Sequence, residues 1–237
     1  MRVMRTVAAE LVKLRGLPPV CATVIGTIAA AIALTAAVAA SSADGVDAVQ
    51  ATLATIPFLQ IGPILLGVLA VATEYQGSQL RTTLTTTPNR GLLLTGKTIA
   101  YTVTATLTSA ATIATGLTTA AITLTARDSP QAGTVNIWPV AGAGLYLVLI
   151  GLLGFALTVL LRSLVPPLVI MLALVLIVSP LLNSTEHSRW LPDRAGRLLY
   201  LPDADSLLTP ETGSLVLLTW ITLTAITATT AFMTRDA

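Results

Sequence analysis

Polar and apolar positions in this chain fall into long blocks rather than the short alternations of a soluble fold. Windows of about 19 residues pick out six apolar stretches, near Val20 to Ala40, Ala51 to Thr73, Thr98 to Thr125, Ile137 to Leu161, Leu164 to Leu182 and Ser214 to Thr234. None contains Asp, Glu, Lys, Arg or His. Such stretches suit transmembrane helices, because about 20 apolar residues cross the hydrocarbon core and a helix satisfies its own backbone there. Ahead of the first, Met4, Val7, Ala8, Leu11 and Leu14 recur at helical spacing, with Arg2, Arg5, Glu10 and Lys13 on other faces. That spacing predicts an interfacial helix over residues 1–17, and Pro18 and Pro19 then turn the chain into the bilayer. The pattern as a whole predicts an all-α polytopic membrane protein. It forms a single domain over 1–237 with spans at about 20–40, 51–73, 98–125, 137–161, 164–182 and 214–234, a polar connection at 74–97 and an outer loop at 183–213.

Composition agrees with that reading. Of 237 residues, 54% are hydrophobic and 10% charged, and the mean hydropathy is +0.84, so no soluble domain fits in the remainder. The first apolar run is too long for a signal-peptide core of roughly 7–15 residues, which argues against cleavage. Charge sets the orientation. Nine Lys and Arg fall at the two termini and in the second and fourth connections, against four in the first, third and fifth, which also hold eight of the eleven acidic residues. By the positive-inside rule both termini lie in the cytoplasm of a multi-pass protein. The net charge of +2 is therefore a topology signal and not a nucleic-acid footprint. Cys21, the single cysteine, excludes an internal disulfide and reads as a small packing residue.

Uncharged spans restrict the chemistry. A gradient-driven pump carries ionisable relays at depth, and an intramembrane hydrolase needs its nucleophile, base or metal ligands there. Neither set is present, so the energy for any transport comes from another polypeptide. Outside the membrane the richest segment is Glu74 to Lys97. In it Leu80 and Leu84 share a helical face, Pro88 stops any helix, and Arg90 and Lys97 mark the return to the bilayer. Two readings are open: a short amphipathic helix resting on a soluble partner, and a solvated loop. Gly91-Leu92-Leu93-Leu94-Thr95-Gly96-Lys97-Thr98 satisfies the P-loop expression formally, but three leucines fill the would-be phosphate cradle and an apolar span follows. Within the second span Pro57, Gly62 and Pro63 predict a kink. Gln60 there reads either as a pathway residue or as an interhelical hydrogen-bonding group. Ala100, Thr104, Thr108, Thr112, Gly116 and Ala120 form a narrow ridge on the third span, suited to close helix packing or to a hydroxyl-lined path. The outer loop has a lone His187 among scattered acids, without metal-ligand spacing, so no metal site is predicted.

The polar connection resembles the cytoplasmic coupling region of the ABC type-2 exporter permease family, in which a Glu-Tyr pair leads to an Arg-Thr-Thr-Leu run, a Pro and a later Lys. Glu74, Tyr75, Arg81, Thr82, Thr83, Leu84, Pro88, Arg90 and Lys97 match at the same spacing, while Ser78, Gln79 and Asn89 depart from the pattern. Glu10 to Arg15 is similar to the family's pre-membrane helix, and Leu199 to Ala204 to its Leu-Pro segment before the last span. The resemblance implies a bacterial plasma-membrane permease with a coupling helix in 74–97 and a re-entrant outer cap at 183–213. It implies ATPase coupling through Glu10, Lys13, Glu74, Tyr75, Arg81, Pro88 and Arg90, with Gln60 on a substrate pathway bordered by the second and fifth spans. It also implies a second permease chain, alike or different, and a soluble ABC ATPase that carries Mg-ATP, this chain itself holding no cofactor and no hydrolytic site. The cargo implied is a hydrophobic drug, peptide or lipid. The alternative is a non-transporting membrane sensor or immunity subunit that recruits a cytoplasmic partner through the same loop.

Overall fold

A computed structural model of the chain describes residues 2–42, 45–75, 90–127, 136–182, 185–202 and 207–234, and every regular element among them is helical. In chain order these are α1 (Arg2–Gly16), α2 (Pro18–Ser41), α3 (Ala48–Leu53), α4 (Ile56–Leu59), α5 (Ile61–Tyr75), α6 (Arg90–Ala126), α7 (Ile137–Leu161) and α8 (Val165–Ala173). A π-helical segment (Leu174–Val178), α9 (Ser179–Leu181), a 3-10 turn (Glu186–Trp190), α10 (Pro192–Arg197) and α11 (Pro210–Thr234) complete it. Among the described residues five runs are long and apolar enough to cross a membrane: Pro18–Ser41, Ala48–Tyr75, Gly91–Ala126, Ile137–Leu161 and Pro210–Thr234. The stretch expected as a fifth span of six is a shorter apolar helix, Val165–Leu181. At about 1.5 Å per residue it reaches roughly 26 Å, less than the ~30 Å hydrocarbon core. The third span also differs from expectation. Its helix starts at Arg90 instead of 98, so residues 90–97 of the expected connection belong to α6.

Prolines explain where the helices break. A proline removes the donor for the carbonyl four residues earlier and crowds it. Pro57 does this to Leu53, the last residue of α3, and Pro63 to Leu59, the last residue of α4. The single kink expected in the second span is therefore two breaks, with turns at Ala54–Thr55 and at Gln60. Pro180 acts likewise on Leu176 inside the π segment, where the Ser179 amide reaches back five residues to the Leu174 carbonyl; the wider turn relieves the crowding. Most of the threonines are tolerated because the hydroxyl bonds to its own helix, Thr35 and Thr112 being buried exceptions without a partner among the described residues. On α6, Thr98, Thr102, Thr104, Thr106, Thr119 and Thr123 each donate to the carbonyl four residues back, at 2.7–2.9 Å.

α7 is the hub, packed against α5, α11 and α6, while α6 runs along α2 and α1. The α5–α7 contact depends on glycine. A Cβ on Gly67 would lie 2.3 Å from the Gly151 carbonyl oxygen, and one on Gly151 would lie 2.0 Å from the Tyr101 hydroxyl and 2.5 Å from the Pro63 oxygen. This is the small-residue packing that lets backbones touch where lipid supplies no hydrophobic drive. The ridge on α6 serves packing too. Ala100, Thr108, Thr112, Gly116 and Ala120 are buried, and a Cβ on Gly116 would meet Thr52 at 2.9 Å and Thr35 at 3.3 Å. At the far end Arg127 ties α6 to α2 by donating to the Ala39 and Ser42 carbonyls at 2.7 and 3.1 Å.

Gly67→Ala and Gly151→Ala are each expected to destabilise the fold by about 1–3 kcal/mol through overpacking. Gly26→Ala, with nothing within 4 Å of its new methyl group, is expected to be neutral or slightly stabilising. Thermal unfolding in detergent would order the three.

Candidate functional site

The charged residues at the α1 end of the bundle converge. Glu10 and Lys13 lie three apart on α1 and so share a face, Glu74 is the penultimate residue of α5, and Lys97 sits two turns into α6. The Lys97 ammonium lies 2.7 Å from Glu10 Oε2 and 2.7 Å from Glu74 Oε1, and Glu74 also pairs with Lys13. Signs therefore alternate along a chain Lys13–Glu74–Lys97–Glu10 that sums to zero. Three of the four are buried, with Glu74 only 2% exposed, Lys97 6% and Glu10 7%. Stripping water from these ions costs several kcal/mol each, which the pairing offsets only while every partner is present.

The sequence put Glu10 and Lys13 on faces of α1 away from its apolar positions and Glu74 in the polar connection, with no sign of burial. Glu10 and Glu74 are turned inward and neutralised. Lys97, read from sequence as a topology charge, is the ion that bridges α1, α5 and α6. Two acids and two lysines sited where apolar runs begin and end are the signal that could have suggested it. Residues 91–98 run within α6 as helix, so they do not form a phosphate-cradling loop. Gly96 is glycine because α1 passes over it: a Cβ there would come within 2.6 Å of Thr6 Cγ2.

The ion network thus holds α1 against both flanks of the 76–89 connection. Tyr75, half-buried beside Glu74, lies within electrostatic reach of Arg162, which caps α7 in a left-handed conformation with φ 52° and reaches the Ala231 carbonyl of α11 at 3.3 Å. Arg90 opens α6. Arg81 and Pro88, with the expected coupling helix, lie outside the described residues.

Of the two readings of Gln60, the geometry realises the hydrogen-bonding one. Its Nε2 donates to the Pro57 carbonyl at 2.6 Å, its Oε1 accepts from the Tyr146 hydroxyl, and its side chain is buried. Tyr146 packs against Tyr200 of the loop before α11, the rings tilted by 45° with centroids 5.4 Å apart. That loop packs against the bundle's other end. Arg194 donates to the Ser179 hydroxyl at 2.9 Å and the Ser179 carbonyl at 3.0 Å, so α10 is fastened to the helix just past the π segment. Burial pushes the neighbouring Asp193 carboxyl above its ordinary range, against the lowering effect of a Ser179 hydrogen bond.

Apolar grooves open on the sides of the bundle. One of about 530 Å³ lies between α2 and α4–α5, bordered by Thr27, Phe58 and Leu65, and one of about 640 Å³ lies between α6 and α7, bordered by Ser109, Ile113 and Val148. Both have the volume of sites for drug-sized apolar molecules, and Gln60 lines neither. In comparisons with known proteins, no family model and no curated protein matches the chain.

Lys97→Met leaves two carboxylates buried without their shared cation and is expected to cost about 3–5 kcal/mol. Adding Glu10→Gln to that variant should cost less than Glu10→Gln alone, with a coupling of roughly 0.5–3 kcal/mol. Arg5→Ala, on the exposed side of α1, should stay within about ±0.5 kcal/mol. Unfolding midpoints of these four variants and of the unsubstituted protein in one detergent give the cycle and its control.

Proposed function

We propose that this chain is the membrane-spanning permease subunit of an ATP-driven exporter, acting with a second permease chain, alike or different, and with soluble ATPase subunits that hold Mg-ATP. The observation that carries the reading is the ion network, which joins the interfacial helix to both ends of the connection that resembles a coupling segment. A partner that engaged that connection would move Glu74 and Lys97 together, with α1 following, and the tight α5–α7 contact would pass the shift to α7 and α11. In this reading Tyr75, Arg81, Pro88 and Arg90 meet the ATPase, while Glu10, Lys13 and Glu74 transmit the motion. The two breaks in the second span and the π segment before Ser179 supply the bending points for alternation between inward- and outward-open arrangements. The side grooves suit a hydrophobic drug, peptide or lipid that enters from the bilayer.

Counting Val165–Leu181 as a sixth crossing puts both termini on one side, and the Lys and Arg bias supports reading that side as the cytoplasm. The loop before α11 then caps the outer face. Cysteine at Asn136 or Thr209 is expected to label with an impermeant reagent in intact cells, and cysteine at Gln79 only after permeabilisation; the reverse pattern would invert the topology.

The functional test is extraction in mild detergent followed by reconstitution. The chain is expected to copurify with a soluble ATPase and to move an apolar dye or peptide into vesicles only when that ATPase and Mg-ATP are present. Uphill transport by the chain alone, or an ATPase partner with no transport of any cargo tested, would overturn the proposal, the second outcome favouring a recruiting subunit.

A further inference from the structure

α1 is amphipathic in an unusual sense. Its charged pair, Glu10 and Lys13, faces the bundle with Thr6, Val7 and Leu14, whereas Met4, Ala8 and Val12 at four-residue spacing face outward. Met4 is 78% and Val12 71% exposed. Arg5 and Arg15 flank this stripe, both exposed, and no ion pair to either is found among the described residues. Glu10, the one acidic residue of α1, is removed from this face by its pairing with Lys97. What remains outside is an apolar stripe between two guanidinium groups. α1 leads through the extended Leu17 directly into Pro18 and the membrane-length helix α2, which fixes its height at the bilayer surface.

We infer that the exposed face of α1 is a binding surface for anionic phospholipid, with Met4, Ala8 and Val12 among the upper acyl carbons and Arg5 and Arg15 at the phosphates. Charge complementarity selects this occupant. Water would leave two large apolar side chains exposed, whereas the headgroup boundary takes apolar stripes and lets long cationic side chains reach outward. Each arginine near the surface contributes about a fivefold preference for anionic over zwitterionic lipid. The ion network is what makes the face: with Glu10 turned outward, an acid would sit among the lipid phosphates. This inference needs only that the chain lies in a membrane and does not rest on the transport reading.

The test uses the full chain with Cys21→Ala, because Cys21 is the single cysteine and is exposed. Val12→Cys then carries an environment-sensitive fluorophore. The protein is reconstituted without any partner into vesicles of phosphatidylcholine and phosphatidylglycerol in equal amounts, with one or the other lipid brominated on its acyl chains. Quenching is expected with both and several-fold stronger when the phosphatidylglycerol carries the bromine. Arg5→Gln with Arg15→Gln should bring the two into equality while leaving the unfolding midpoint unchanged. Equal quenching by the two lipids in the parent protein would overturn the selectivity. A label reached by aqueous iodide and not by bromolipid would overturn the proposal altogether, and is the result for a face reserved for a soluble protein.

Discussion

Two carboxylates and two ammonium groups at the edge of the apolar core, alternating in sign, are the interaction on which the rest of this molecule depends. Isolated at that depth, any one of them would be lost to protonation change, to water or to unfolding. Chained as Lys13, Glu74, Lys97 and Glu10 they are neutral, and the neutrality is possible only if α1, the end of α5 and the start of α6 meet at one point. One contact set therefore fixes the path of the interfacial helix, the separation of the two ends of the 76–89 connection, and the composition of the face that α1 turns outward.

Above that point the solvent is lipid, and it dictates the remaining choices. Hydrophobic burial gives no preference for helix against helix over helix against acyl chain. Association relies on contact, which is why Gly67 and Gly151 stand where α5 and α7 touch. Among the described residues the hydroxyls of Ser109 and Thr112 are buried without a partner, whereas most threonine hydroxyls on α6 are satisfied by carbonyls of their own helix. Where prolines prevent that self-sufficiency, the chain breaks or widens: at Leu53, at Leu59 and at Leu174–Val178. Tyr146, Gln60 and the Pro57 carbonyl then pair with each other at one of these breaks. Close contact is thus concentrated in the ion network at the α1 end and in the α5–α7 packing, and irregular backbone at the proline sites.

Much of this was legible beforehand. Uncharged blocks of twenty or more residues can be little other than membrane helices, Pro57 and Pro63 announce irregularity, and the small ridge on α6 announces close packing. Three features were not. Val165–Leu181 is apolar enough to read as a span, but hydropathy carries no information on how Pro180 widens its last turns. The start of α6 was misplaced because residues 90–97 are polar enough to read as loop, although a helix projecting beyond the hydrocarbon core tolerates them. The inward turn of Glu10 and Glu74 was not foreseen because burial of an ion is invisible until its partner is known, and the partner, Lys97, is 87 residues from Glu10. The same lysine also completed a formal P-loop pattern, and its neighbour Gly96 owes its identity to Thr6 on α1. Pairings at such separations are set by tertiary packing, for which a single sequence supplies no periodicity.

The claim that the ion network, and not apolar contact alone, holds α1 in place can be measured as a distance. In the Cys21→Ala background, spin labels at Val12→Cys and Thr95→Cys, both exposed, report the position of α1 relative to α6 by pulsed dipolar spectroscopy in reconstituted, monodisperse protein. A single narrow distribution is expected, and Lys97→Met should broaden it while a label pair on α2 and α6 stays narrow. A narrow distribution unchanged by Lys97→Met would mean that Leu14 and its apolar neighbours suffice, and that the buried charges do not position the helix.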